Sequence, residues 1–101
     1  DGGKFEDAEK WYREALKKTP NDEDVRMDLA LAYLSREPAD ADRAIAEFNA
    51  ILSADPKYEK ALQNIAFAYK EKGDQENLVK TVERLKQVNP ENSALKLLAA
   101  K

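Results

Sequence analysis

Residues 56–90 read PKYEKALQNIAFAYKEKGDQENLVKTVERLKQVNP, and the marks they carry recur on both sides of them. Pro56 and Pro90 stand 34 residues apart. Twelve residues before each lies an apolar residue, Ala44 and Leu78, and Ala8 has the same relation to Pro20. Tyr12, Phe48 and Val82 come eight residues before the three prolines. Leu29, Ile65 and Ala99 come nine residues after them, each followed by an alanine at 30, 66 and 100. Tyr33 and Tyr69 stand four residues beyond Leu29 and Ile65. A period of a few tens of residues marks a chain of stacked units, each unable to bury its apolar face alone.

The interval from Pro20 to Pro56 is 36 residues, and its excess can be placed: Tyr33 to Ala44 is 11 residues, Tyr69 to Leu78 only 9. The longer joint holds Ser35-Arg36-Glu37-Pro38-Ala39-Asp40-Ala41-Asp42, a polar, proline-bearing stretch expected to form a loop. Its counterpart is the compact Lys72-Gly73-Asp74, where Gly73 is expected to close one helix in the left-handed conformation and Asp74 to cap the next. Between the joints, Phe5, Ala8, Tyr12, Ala15 and Leu16 fall on one helix face, as do Val25, Leu29, Ala32 and Tyr33, and Leu62, Ile65, Ala66 and Tyr69. Asn21 or Asp22, and Asn92 or Ser93, are the N-cap candidates behind a proline. Helices are predicted over 5–18, 23–35, 41–54, 58–72, 75–88 and 93–100, an all-α chain.

Composition removes most chemistry. With no cysteine and no histidine, neither a disulfide framework nor a Cys/His zinc site can form, and the commonest general base is missing. The 17 basic and 20 acidic side chains interleave to a net charge of −3, leaving no field to gather nucleic acid or an anionic membrane. No apolar run approaches the roughly 18 residues of a membrane span. Glu6, Asp7, Glu9 and Glu14 beside Lys10, Arg13 and Lys17 offer paired carboxylates for acid–base work, but these spacings are better explained by exposed ion pairs on a solvated helix face. The acidic run Asn21-Asp22-Glu23-Asp24 is explained by a helix start. No glycine-rich loop is present to cradle phosphate. No cofactor, metal or catalytic residue is expected.

These spacings resemble the tetratricopeptide repeat, a helix-turn-helix unit of about 34 residues. Its pattern is met by Leu29, Ala30, Tyr33, Ala44, Phe48 and Pro56, then by Ile65, Ala66, Tyr69, Gly73 and Pro90. Gly3, Ala8, Tyr12, Ala15 and Pro20 match the second half of a unit. The resemblance implies a right-handed superhelical array of antiparallel helix pairs. It divides the chain into a half repeat at 1–22, a repeat with the two-residue insertion at 23–58, a repeat at 59–92 and the start of a further or capping helix at 93–101. Ala30 and Ala66 are expected where paired helices approach closely, and Tyr33 and Tyr69 between neighbouring helices. Leu78, Val82 and Lys86 depart from the pattern, as terminal repeats commonly do. The chain opens on Asp1 with half a unit, so it is expected to be a window onto a longer solenoid, with Phe5, Trp11 and Tyr12 exposing apolar surface.

In this family the first helix of each unit lines the concave surface, where ligand peptides usually lie. Carried over, the lining positions are Asp24, Met27, Asp28, Leu31 and Leu34, then Lys60, Gln63, Asn64, Phe67 and Lys70. The residues themselves support part of this. Met27, Leu31 and Leu34 form a second apolar stripe beside the one used for stacking, and a helix apolar on two sides needs two partners. With Phe67, and Lys60 and Lys70 flanking, the stripe makes a candidate groove for an amphipathic or extended segment. The alternative is ordinary packing against a further helix. Asn64 matches a position that helps hold a terminal carboxylate in chaperone-binding members, but Met27 and Leu31 replace the lysine and asparagine such a clamp needs. The expected function is therefore a non-enzymatic scaffold binding a protein or peptide on its concave face, without nucleic acid or membrane. The second reading is a structural or self-assembling segment that forms homo-oligomers through exposed end helices. Helical repeats that bind RNA have a similar unit length, but the acidic balance argues against that relative.

Overall fold

Six helices follow one another along the described chain: α1 Gly2–Lys18, α2 Glu23–Ser35, α3 Ala41–Ala54, α4 Glu59–Lys72, α5 Gln75–Val88 and α6 Ala94–Ala99. The computed structural model describes the backbone of residues 2–99 and the side chains of residues 4–99, and no strand occurs among them. The expected boundaries hold to within one residue for α2 to α5. The start of α1 is three residues earlier than expected: Gly2 and Gly3 are helical, because a first turn has no intrahelical N–H bonds to lose and glycine there costs only backbone entropy. Ala100, which the register aligns with Ala30 and Ala66, lies outside the described residues.

Four of the five joints are closed by a side-chain cap; the exception is the one before α4, where Tyr58 makes no capping bond. Asp22 accepts from the Val25 N–H at 3.2 Å, Asp40 from the Arg43 N–H at 3.1 Å and Asp74 from the Asn77 N–H at 3.2 Å. Asn92 takes the same part before α6, accepting from the Ala94 N–H at 2.8 Å. Gly73 closes α4 with φ 81°, the left-handed conformation expected of it. The two-residue insertion leaves this closure unchanged. The Asp40 N–H donates to the Tyr33 carbonyl at 2.9 Å, and in the short joint the Asp74 N–H donates to the Tyr69 carbonyl at 2.9 Å. The extra residues bulge between fixed ends.

Each helix packs chiefly on its neighbours in the chain, giving an all-α array of helical repeats. The core is accordingly a series of layers. Leu29, Ala30 and Tyr33 of α2, Ala44, Phe48 and Ile51 of α3, and Ala61, Leu62, Ile65 and Ala66 of α4 are buried. Ala30 and Ala66 have no exposed surface, so a larger side chain at either would force the helices apart. Tyr69 is only half-buried, unlike Tyr33, so its truncation costs less than a fully buried aromatic's would.

One charged group belongs to this core. Glu47 of α3 is 7% exposed, with Arg26 Nη1 of α2 at 2.7 Å and Arg13 Nη2 of α1 at 3.1 Å. Arg13 Nη2 also donates to the Tyr33 hydroxyl at 2.7 Å, and that hydroxyl donates to Glu9. Arg26 Nη2 donates to the Pro20 carbonyl at 3.0 Å. This network ties three helices and a turn together. It corrects the expectation that Glu9 and Arg13 serve only a solvated helix face: their pair within α1, at 4.0 Å, is the weaker of their contacts.

Candidate partner-binding surface

The backbones of α2 and α4 come into contact, as do those of α4 and α6, whereas α1, α3 and α5 make no such contact with one another. The row whose members approach more closely is the inner row of a bent array, so the molecule curves toward α2, α4 and α6. All the sequence-derived lining residues lie on α2 and α4 of this row.

The structure divides those residues into three groups. Met27 is 7% exposed and the Asn64 side-chain amide lies 3.5 Å from its sulfur, so this pair bridges α2 and α4. Gln63 is engaged in structure: its side-chain oxygen accepts from Asn92 Nδ2 at 3.1 Å, and Asn92 also donates to Glu59 at 2.6 Å. Leu31 is 36% exposed, and Leu34 and Phe67 are half-buried. Leu34 and Phe67 line a cleft of about 540 Å³ together with Lys70 and Glu71. Lys60 is exposed and makes no hydrogen bond or ion pair among the described residues. Asp24 and Asp28 are exposed as well.

The stripe is thus split along its length. Its Met27 end is inter-helix packing, and at its other end Leu31 stays exposed while Leu34 shares the cleft with Phe67 of α4. Lys70 closes the cleft toward α6, its Nζ donating to the Leu97 carbonyl at 2.8 Å.

Two residues of this surface were not singled out from the sequence. Glu71 carried no signal apart from its neighbours. Leu97 did: it stands seven residues after Pro90, as Met27 does after Pro20 and Gln63 after Pro56, and it is 61% exposed on α6. Electrostatically the start of α4 is the distinctive part. Hydrogen bonds from Asn89 and Asn92 hold the Glu59 carboxyl below the usual carboxylate range, fixing it as an acceptor that anchors the turn before α6. No group of three or more Asp or Glu side chains is placed to hold a metal ion among the described residues. No helix among them is long and apolar enough to cross a membrane.

Residues 59–92 match the family model described as tetratricopeptide repeat. The chain carries a tetratricopeptide repeat. The match covers α4, the Gly73 joint, α5 and the Pro90 turn, although Leu78, Val82 and Lys86 of this stretch depart from the spacing pattern. No curated protein matches the chain. Tetratricopeptide repeats are protein-interaction elements, generally without catalysis of their own, so the matched repeat and the helical-repeat fold support a protein-interaction scaffold at a general level.

Proposed function

We propose that the chain binds a segment of a protein partner along the inner row of helices, with apolar side chains of that segment seated against Leu31, Leu34, Phe67 and Leu97. On this reading the chain divides as the spacing suggests, into a half repeat at 1–22, repeats at 23–58 and 59–92, and a further first helix from 93. The observation that carries the proposal is the accessibility of Leu31 beside the cleft lined by Leu34 and Phe67: apolar side chains on the inner face stay open although the same helix buries Leu29, Ala30 and Tyr33. Lys60 and Lys70 add positive charge at the sides, which favours an apolar segment with acidic flanks. Met27 contributes by positioning α2 on α4 rather than by touching the partner. A terminal-carboxylate clamp has no support, since Met27 and Leu31 offer no donor and Asn64 faces the Met27 sulfur. The balanced charge favours protein over nucleic acid as partner.

The experiment selects peptides from a random library on the immobilised chain and maps the best binder by amide chemical-shift changes. Shifts concentrated on Leu31, Leu34, Phe67 and Leu97 are expected. Shifts confined to α1, α3 and α5 would overturn the reading.

A further inference from the structure

Glu71 stands on the walls of two clefts. One is the inner-face cleft of about 540 Å³ that it shares with Leu34, Phe67 and Lys70. The other, of about 390 Å³, lies where the end of α4 faces the lengthened joint between α2 and α3, and its walls include Arg36, Pro38, Ala39, Asp42 and Lys72. Pro38 and Ala39 belong to the stretch that carries the two extra residues. The lengthened joint thus adds a polar cleft to the apolar one, and the two meet at Glu71.

The cations around Glu71 are already engaged. Lys72 Nζ lies 2.8 Å from Asp42 Oδ1, and Lys70 Nζ donates to the Leu97 carbonyl at 2.8 Å. The Arg36 guanidinium lies 4.7 Å from the centre of the Phe5 ring and 4.0 Å from Asp40. Glu71 itself is exposed and makes no hydrogen bond or ion pair among the described residues. The acids on the walls of the joint's cleft, Asp40, Asp42 and Glu71, outnumber its bases, Arg36 and Lys72, and Glu71 is the one left without a partner. The Asp42 side chain keeps 75% exposure despite its pair with Lys72, so its carboxylate has room to accept from a second donor.

We infer that the partner segment places a basic side chain between Glu71 and the lengthened joint, next to the apolar side chain it seats in the Leu34–Phe67 cleft. The inference rests on the inner-face reading and gives the segment a polarity: acidic toward Lys60 at the start of α4, basic toward Glu71 at its end. The spacing follows from α4. Phe67 and Glu71 are four residues apart, about 6 Å along the helix axis. In an extended segment that distance separates side chains two residues apart, and in a helical one it separates those three or four apart. Arginine fits the site better than lysine, because its stem lies along Pro38 and Ala39 while its planar fork meets the carboxylates of Glu71 and Asp42 together.

Short random peptides should be selected in parallel on the immobilised chain, on Glu71→Arg and on Glu83→Arg, a charge reversal on α5 outside both clefts. Both glutamates are exposed, so the variants should keep the circular dichroism of the unmodified chain. Binders of the unmodified chain and of Glu83→Arg are expected to carry arginine or lysine two to four residues from an apolar residue, and binders of Glu71→Arg to carry aspartate or glutamate there. The best binder of the unmodified chain should lose at least tenfold in affinity when its basic residue becomes glutamate, and Glu71→Arg should recover most of that loss. Binders that need Leu31 but show no basic preference, or a preference that Glu71→Arg leaves unchanged or that Glu83→Arg shifts equally, would overturn the inference and leave the inner-face reading standing. Binders indifferent to Leu31→Lys, or no binders at all, would overturn both.

Discussion

Tyr33 shows how much one side chain does in this molecule. Its ring has no exposed surface and lies 5.5 Å from the Phe5 ring, while its hydroxyl takes a hydrogen bond from Arg13 and gives one to Glu9. Burial and the bond to Glu9 raise the phenol above its ordinary value, opposed by Arg13, so it stays protonated and able to donate at neutral pH. Tyr33→Phe should therefore cost about 1–2 kcal/mol, the loss of charge-assisted hydrogen bonds with the ring retained, and Tyr33→Ala about 3–5 kcal/mol. Chemical denaturation of the two variants separates these contributions. Glu47→Ala should cost about 2–3 kcal/mol in the same assay. That is less than breaking a fully buried pair, because Arg13 and Arg26 retain 45% and 23% side-chain exposure and recover some hydration. The network was not legible in the sequence. Glu47 is spaced as an apolar core residue and Arg13 as a surface one, and only the packing of α1, α2 and α3 brings them together.

The helices themselves were legible, because spacing and caps are local physics. Asp22, Asp40 and Asp74 each sit directly before an apolar-periodic run, and each accepts an N–H three residues on. Gly73 is held at φ 81° with nothing within 4 Å of where a Cβ would stand, so Gly73→Ala should cost about 1 kcal/mol from backbone conformation alone. A thermal melt that the substitution leaves unmoved would contradict this. The turn between α5 and α6 adds a pH dependence. Glu59 is held below the usual carboxylate range by Asn89 and Asn92, so the folded chain binds that proton less readily than the unfolded chain. Its contribution is complete above the ordinary glutamate value of about 4.3 and is lost as pH falls through the lower folded value. Glu59→Gln should flatten the acid limb of stability, measured by urea unfolding between about pH 5 and 3.

Across the whole molecule, the buried apolar side chains lie in layers between consecutive helices, and the described chain has extents of 36 × 28 × 20 Å with no single centre. The same arrangement explains which part of the candidate site was readable. Both apolar stripes of α2 are visible as spacing, and they meet α1 and α3 on one side and α4 on the other. What spacing does not state is which residues of the second stripe α4 covers. The packing of α4 on α2 buries Met27 against Asn64, and the turn before α6 engages Gln63 through Asn92, while Leu31 and the Leu34–Phe67 cleft stay accessible. Leu97 joins this surface through a register that was present in the sequence but not followed into the last helix.

The central claim is that the inner face holds apolar side chains for a partner rather than for the fold, and Leu31→Lys tests it most directly. Affinity for a peptide selected on the unmodified chain should be measured together with circular dichroism and urea unfolding. A loss of binding of at least tenfold, with helicity and the steepness and midpoint of unfolding nearly unchanged, is the predicted result. A broadened or absent unfolding transition would make Leu31 a core residue, and undiminished binding would put the partner elsewhere; either result contradicts the claim.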